Sequence, residues 1–328
     1  MDYKIFSKKI EDNFKKNIGI ELSDDDKLCF YIFMNMLIEK NKVMNLTAIT
    51  DPEEIIMRHF VDSCMLIKFY DFDAIKARNN GTIRAVDIGT GAGFPGIPLA
   101  IVLKNVDFVL TDSLGKRIKF LEEAVEAIRN GIVEDASMKC DGKGSDGGNA
   151  SNEIGSGKGC DAGNRSIGNG AGNGSNGINA SGEIGDGIGC DADAYEVGAA
   201  TDASIKPRLQ NVTIINTRAE DFGANPQYRE SFDFAFSRGV AKLSVLSEYS
   251  LPALKVGGKM IAYKMDDIDA ELSESKSAIS TLGGMFHVKH SYSLFDNEPK
   301  RCLLEIEKVS KTPKKYPRKP GVPGKSPL

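Results

Sequence analysis

One glycine-rich turn constrains this chain more than any other segment. Residues 83–88, Ile-Arg-Ala-Val-Asp-Ile, form a short apolar run that reads as a buried parallel strand. Gly89-Thr-Gly91-Ala-Gly93 follows, and an apolar helical pattern runs from about Ile97 to Leu103. Strand, glycine turn and helix together form the first crossover of a doubly wound parallel sheet, where ligands are gripped. Glycine suits that corner because the chain turns sharply and its backbone must come close to a ligand. A dinucleotide turn spaces its glycines G-x-G-x-x-G to set a helix N-terminus against a pyrophosphate. Here the spacing is G-x-G-x-G, with an acid, Asp87, two residues ahead.

The pattern continues with a second strand, Val106 to Leu110, ending in Thr111-Asp112-Ser113. Asp112 lies about 25 residues beyond Asp87, where such folds place the acid that grips a ribose. A carboxylate there can accept from both ribose hydroxyls. Asp112 or Ser113 could equally cap the helix expected from Lys116 to Ile128. Val212–Asn216, Phe232–Phe236 and Lys259–Tyr263 read as strands three to five. Helices are expected over about Leu243–Leu254, with Gly257-Gly258 as its end, and over Asp269–Leu282. Phe286–Leu294 and Cys302–Lys308 read as a closing pair of strands. The alternation predicts an α/β, doubly wound, Rossmann-like sheet with ligands at the carboxyl ends of its strands. Those ends carry Asp87–Gly93, Asp112, Arg218–Asp221, Ser237–Arg238 and Lys264.

Residues 1–70 read as a helical extension ahead of this core. Ser23 with Asp26 resembles a capping box, opening a helix to about Glu39. Thr50 or Asp51 can cap the next helix, with Pro52, Glu53 and Glu54 in its first turn. That helix carries Arg58-His59-Phe-Val-Asp62-Ser63. Helical spacing puts His59, Asp62 and Ser63 on one face and makes Arg58 and Asp62 an i,i+4 pair. A plain helix-surface hydrogen-bond set reads the same way.

Composition matters because charge is unevenly placed. The formal net charge is −4, yet Glu134 to Asp202 carries 12 acids and 4 bases. Without that segment the chain is net positive. Half of the 34 glycines lie between Asp141 and Gly189, and Glu153–Ala162 recurs imperfectly as Glu183–Ala192. So few apolar residues cannot offset the entropy of ordering so many glycines, so 133–205 reads as a disordered low-complexity insertion. Lys308 to Lys325 holds seven Lys/Arg and no acid. This asymmetry suggests a nucleic-acid partner; a solvated tail is the plainer alternative. No apolar run approaches the ~18–20 residues of a membrane span. The start of the chain lacks an apolar signal stretch. The six cysteines form no C-x-x-C pair and no ligand cluster with the three histidines, so no metal site and a reducing, cytoplasmic setting are expected.

The D-x-G-x-G-x-G turn resembles motif I of the S-adenosylmethionine (SAM) methyltransferases, with a nicotinamide site or a structural turn as alternatives. SAM carries no phosphate; a glycine loop instead opens room for its amino-acid end. More of the chain resembles one family, the ribosomal small-subunit methyltransferase G (RsmG, or GidB) family. The matching segments are Asn45-Leu-Thr47, Arg58–Ser63, Asp87–Pro98, Asp112–Arg117, Arg218–Glu220, Ser237-Arg238 and the tail Thr312–Gly321. The resemblance implies a SAM-dependent methyltransferase domain over 71–132 and 206–309, with a basic Pro/Lys-rich tail over 310–328. It implies methylation of N-7 of one guanine in a decoding-site loop of 16S rRNA. Carried over by motif, the SAM contacts are Gly89, Phe94, Asp112, Ala219, Glu220 and Arg238, with Asp87, Gly91 and Gly93 beside them. Glu220 could instead be a cap or surface acid, and Arg238 could hold a carboxylate or an RNA phosphate. Gly239 and Met265 depart from the family's usual Ala and Gly.

N-7 of guanine offers an in-plane lone pair and needs no deprotonation, so no general base is assigned. His59 and Lys264 are substrate-side candidates. Arg58, Lys116, Arg117, Arg301, Lys314, Lys315 and Arg318 are candidate RNA contacts, each with a solvated-charge alternative. The expected partner is 16S rRNA or the 30S subunit, with no membrane, and the protein is expected to be a monomer. A small-molecule SAM methyltransferase and a non-catalytic ribosome assembly factor are the competing readings. If 133–205 is an insertion on the rim opposite the site, its deletion leaves the thermal melt and SAM binding close to those of the full chain. Calorimetric titration of the deletion variant checks this, and lost SAM binding contradicts it.

Overall fold

The computed structural model describes residues 1–78, 81–131 and 208–328; the expected insertion lies outside them. The chain opens with helices α1 (Tyr3–Asn17) and α2 (Asp24–Met44). The Ser23–Asp26 capping box forms: Asp26 N donates to Ser23 Oγ at 3.1 Å and Ser23 N donates to Asp26 Oδ2 at 3.1 Å. A short helix α3 (Pro52–Ile55) is capped by Asp51, whose Oδ1 accepts from the backbone of Glu53 and Glu54. It passes into a π-helical turn, Ile56–Val61, before α4 (Asp62–Cys64) and α5 (Phe72–Arg78). A π turn inside a helix inserts a residue and commonly marks a functional site.

The sheet follows: β1 (Ile83–Ile88), α6 (Gly96–Val102), β2 (Val106–Asp112), α7 (Gly115–Asn130), β3 (Val212–Asn216) and α8 (Ala219–Ala224). Then come β4 (Phe232–Arg238), α9 (Leu243–Ser250), β5 (Leu254–Met265), α10 (Asp269–Thr281), β6 (Gly284–Tyr292), β7 (Arg301–Lys308) and α11 (Val322–Lys325). Strand order is β3-β2-β1-β4-β5-β7-β6. β1 through β5 pair in parallel, and β7 runs antiparallel to both neighbours. The order reverses between β1 and β4, which opens a crevice at the carboxyl ends of these strands.

Alternation along β1 divides the core. Ile83 and Ala85 face one layer, Val86 and Ile88 the other. The first layer holds α6 and α7 together with the N-terminal helices, whose Phe6, Phe14, Phe33 and Phe60 share one core with Leu110 and Leu121. The first 70 residues are therefore part of the fold's hydrophobic layer. An aromatic chain runs from α1 toward the glycine turn: Phe14–Phe30 at 5.3 Å, Phe30–Phe60 at 5.0 Å, Phe60–Phe33 at 5.8 Å and Phe33–Phe94 at 5.4 Å. The second layer packs Phe222, Leu246 and Ile279 against Val86, Ala235 and Ile306.

One boundary differs from expectation. α9 stops at Ser250 with a 3₁₀ turn through Pro252, and Gly257-Gly258 lie inside β5. The register against β4 shifts between Phe232 and Phe234, so these glycines form a bulge. Gly257 sits at φ +88°, and a Cβ on Gly258 would stand 3.0 Å from the carbonyl oxygens of Lys255 and Phe232. Removing the α2 cap with Ser23→Ala costs about 1 kcal/mol of stability, read as a lower urea midpoint with an unchanged slope.

Candidate functional site

A cleft of about 670 Å³ opens at the carboxyl ends of β1, β2, β3 and β4. Its floor is the glycine turn, where Gly89 and Gly91 take φ values of +71° and +62° that other residues adopt with strain. The turn is tied down from beneath. Thr90 N donates to Thr111 O at 2.9 Å, and Thr90 Oγ1 and Gly96 N both donate to Asp87 Oδ2, at 2.6 and 2.9 Å. Gly96 has no alternative: a Cβ there would lie 2.2 Å from Leu110 Cδ2.

Asp87 is therefore not a cleft residue. It is fully buried below the turn and serves as the knot between loop and α6. Its Oδ1 has no hydrogen-bond partner, so only the two bonds on Oδ2 offset the cost of charging it. Burial outweighs those bonds and, with a smaller push from the Asp112 charge, raises its pKa from 3.8 to about 7.

Asp112 stands at the mouth, only 4% exposed. Oδ2 accepts from Gly91 N at 3.1 Å and from Arg117 Nη1 at 3.2 Å; Oδ1 accepts from Leu114 N at 2.9 Å. The expected cap does not form: Leu114 takes the N-cap position of α7 with no side-chain bond to the helix, and the Asp112–Leu114 contact closes the turn ahead of it, while Asp112 lines the cleft. Glu220 and Ala219 line the wall after β3, and Glu220 Oε1 accepts from Gly321 N at 2.8 Å. Tyr249 and Gly321 complete that wall. Nothing local in the sequence marks these two, since α9 and the tail reach the cleft only through tertiary packing.

The opposite wall comes from the π turn. His59 stacks on Phe94 with ring centroids 4.4 Å apart, and its Nε2 lies 2.8 Å from Thr47 Oγ1. Burial, reinforced by the Arg238 charge, pushes the imidazole pKa down to about 3. The ring is neutral at physiological pH. His59, Asp62 and Ser63 do share a face, and what they meet is Arg238. Its Nη1 donates to Ser63 Oγ at 3.3 Å, its Nη2 donates to Arg58 O at 2.6 Å and lies 3.3 Å from His59 Nδ1, and its Nε is 3.3 Å from Asp62 Oδ2. Arg238 lines the cleft with its guanidinium already largely engaged by protein groups. Asp62, 1% exposed, also accepts from Arg301 Nη1 at 2.9 Å and Tyr292 Oη at 2.8 Å.

Several basic candidates are occupied elsewhere. The Arg58–Asp62 pair does not form; the π turn sends Arg58 to Glu298 and to Glu54, 3.4 Å away. Arg301 is spent on Asp62, and Arg318 Nη2 pairs with buried Glu248 at 2.6 Å. Lys264 donates to Ala241 O and Glu271 Oε1, at 2.9 and 2.7 Å, and does not line the cleft. Lys116, Lys314 and Lys315 are exposed. Gly239 lines the cleft at φ +68°, a left-handed conformation that glycine adopts without strain. Met265 is the exposed last rung of β5, opposite Arg301. Among the described residues no His/Cys/Asp/Glu cluster could hold a metal, and Cys29, Cys64 and Cys302 are free.

A glycine turn at a topological switch point, a carboxylate after β2 and an acid after β3 fit adenosyl and amino-acid groups rather than a pyrophosphate. Fold and site define a SAM-dependent methyltransferase. The model of the family described as rRNA small subunit methyltransferase G matches residues 27–137 and 201–298. Relatives called ribosomal RNA small subunit methyltransferase G are 33% identical in Desulfitobacterium hafniense, over 96% of this chain and 94% of theirs, and 33% identical in Lactobacillus johnsonii over the whole of both. The relative in Macrococcus caseolyticus is 34% identical over 95% of each chain. Among solved structures, the 16S rRNA (adenine(1408)-N(1))-methyltransferase of Catenulisporales acidiphilia aligns with a TM-score of 0.39 at 11% identity, over 74% of this chain and 94% of that one. The chain belongs to the rRNA small subunit methyltransferase G family.

The raised pKa of Asp87 has a sign that can be read. Between pH 3.8 and about 7 the unfolded carboxyl gives up its proton while the folded one keeps it, so this group removes stability as pH rises. Asp87→Asn stays neutral throughout. Its urea midpoint relative to the parent chain should shift upward from pH 4 to pH 7; a constant difference contradicts the assignment.

Proposed function

We propose that the protein transfers a methyl group from SAM to N-7 of one guanine in the decoding-site loop of 16S rRNA. The observation that carries this reading is the pairing, in one cleft, of an acid-lined adenosyl side with a neutral aromatic wall. When bound, SAM supplies an electrophilic methyl group. Asp112 accepts from the ribose hydroxyls. Of its three contacts, the 3.2 Å one to Arg117, whose side chain is 40% exposed, is the most readily replaced. Glu220 and Ala219 face the adenine, and the open backbone of Gly91 leaves room for the amino-acid end, while Val240 packs against bare Gly89. Arg238 reaches the cleft as a fixed positive charge and locks His59 in place.

The substrate side needs a surface that receives an unstacked purine and holds its N-7 in line with the methyl group. The stacked His59 and Phe94 rings, with Thr47 beside them, supply such a surface. A neutral imidazole repels no positive charge as the purine ring becomes cationic. No residue has to remove a proton, in keeping with the absence of an exposed general base on that wall among the described residues. Affinity for RNA comes from the exposed Lys116, Lys314 and Lys315. Arg58, Arg301 and Arg318 act inside the fold instead. The reading takes 16S rRNA or the 30S particle as substrate and the protein as a cytoplasmic monomer.

Labelled SAM and 30S subunits lacking the modification test the proposal directly. Borohydride–aniline cleavage should map one N-7-methylguanine to the decoding-site loop. Cofactor binding without methyl transfer to 16S rRNA would refute it.

A further inference from the structure

The segment after β7 reads in sequence as a basic, RNA-facing tail, yet three cations fasten it inward. Lys308 is fully buried and donates to Leu251 O at 2.5 Å and to Thr312 Oγ1. Arg229 donates through Nη1 to Tyr316 O and through Nη2 to Thr312 O, both at 2.8 Å. Arg318 makes a fork on Glu248, which is itself 0% exposed: Nε to Oε1 at 2.9 Å and Nη2 to Oε2 at 2.6 Å, with the Arg318 backbone N–H on Oε1 at 2.8 Å. A buried carboxylate so fully paired fixes the backbone beside it, because moving either partner strands a charge. Three residues on, Gly321 takes φ +82° and donates its N–H to Glu220 Oε1 at 2.8 Å. A Cβ on Gly321 would meet nothing within 4 Å, and Gly321 lines the cleft.

We propose that this strap is part of the cofactor site: Arg318 and Glu248 seat it, and the Gly321 N–H orients Glu220 as the acceptor for the exocyclic amine of adenine. Gly321 and Arg318 are positioning residues. The Gly321 N–H on Oε1, with the Tyr249 hydroxyl that also hydrogen-bonds Glu220, fixes the carboxylate rotamer, and a carboxylate so held keeps lone pairs to accept from the ligand. The strap's exposed Lys314 and Lys315 then lie on the same segment that shapes the adenine wall. This inference rests on the proposed placement of adenine at Glu220.

The test compares the full chain with one ending after Lys319, which keeps the Lys308, Arg229 and Arg318–Glu248 contacts and removes Gly321. Calorimetry measures S-adenosylhomocysteine and S-inosylhomocysteine, which carries a 6-oxo group in place of the amine. The shortened chain should bind the adenosyl ligand about tenfold more weakly, the worth of one charge-assisted hydrogen bond, and should lose most of its preference over the inosyl ligand. In a Glu220→Ala background the same truncation should cost nothing further, a coupling that a merely structural tail would not show. Arg318→Lys in the full chain keeps the charge, drops the fork and should weaken adenosyl binding in the same direction. Unchanged affinity and unchanged preference in the shortened chain overturn the strap's role. A full chain that itself shows no adenosyl preference overturns the placement of adenine at Glu220, and the strap with it.

Discussion

The Asp62 carboxylate is the contact on which the site's geometry depends. It is buried, and it gathers Arg238 from the end of β4, Arg301 from β7 and Tyr292 from β6. One acid on a helix thus joins three strand ends that the sheet's own hydrogen bonds do not tie to the helical layer. Two guanidiniums around one carboxylate leave a net positive charge, and the polar groups of the π turn absorb it: Arg58 O, Ser63 Oγ and His59 Nδ1. Breaking such a cluster from one side costs about 3–5 kcal/mol, because the partners stay buried without compensation.

Burial, with the Arg238 charge of the same cluster added, accounts for the neutral histidine. A ring packed against a guanidinium and an aromatic face has no reason to hold a second proton, and its stacking on Phe94 fixes the height of that wall above the glycine turn. Hydrophobic packing finishes the job from behind. The aromatic chain through Phe33 and Phe60 sets Phe94 against the N-terminal layer, so the first 70 residues position the substrate side while the sheet positions the cofactor side.

Much of this was legible in the sequence because it is local. The glycine turn, the β1 and β2 strands, the Ser23–Asp26 cap and the Asp51 cap each depend on residues within a few positions of one another. Asp112 was legible as a cleft residue, but its alternative reading as the cap of α7 fails, because Leu114 stands between it and the helix. The failures are long-range. Arg58 finds Glu298, 240 residues away, rather than Asp62 four residues on, because the π turn rotates it off the expected face. Gly257-Gly258 form a bulge in β5, since a glycine pair signals a break in regular structure without saying which kind. The tail's basic residues looked uniform, and only tertiary structure shows that Arg318 faces a buried acid while Lys314 and Lys315 face solvent. Asp87 belongs to a motif that suggests ligand contact, yet its position on the layer-facing side of β1 puts it beneath the loop.

Gly321 lines the cleft although it follows the last strand of the sheet. The seven strands pair with one another and not with the segment that carries Gly321. A chain cut short between Arg318 and Gly321 would therefore keep its sheet, its glycine turn and the Arg318–Glu248 pair but lose the Gly321 part of the cleft wall. Completion of the cleft is thus separable from completion of the sheet, and an adenosyl ligand would distinguish molecules that carry Gly321 from folded but shortened ones.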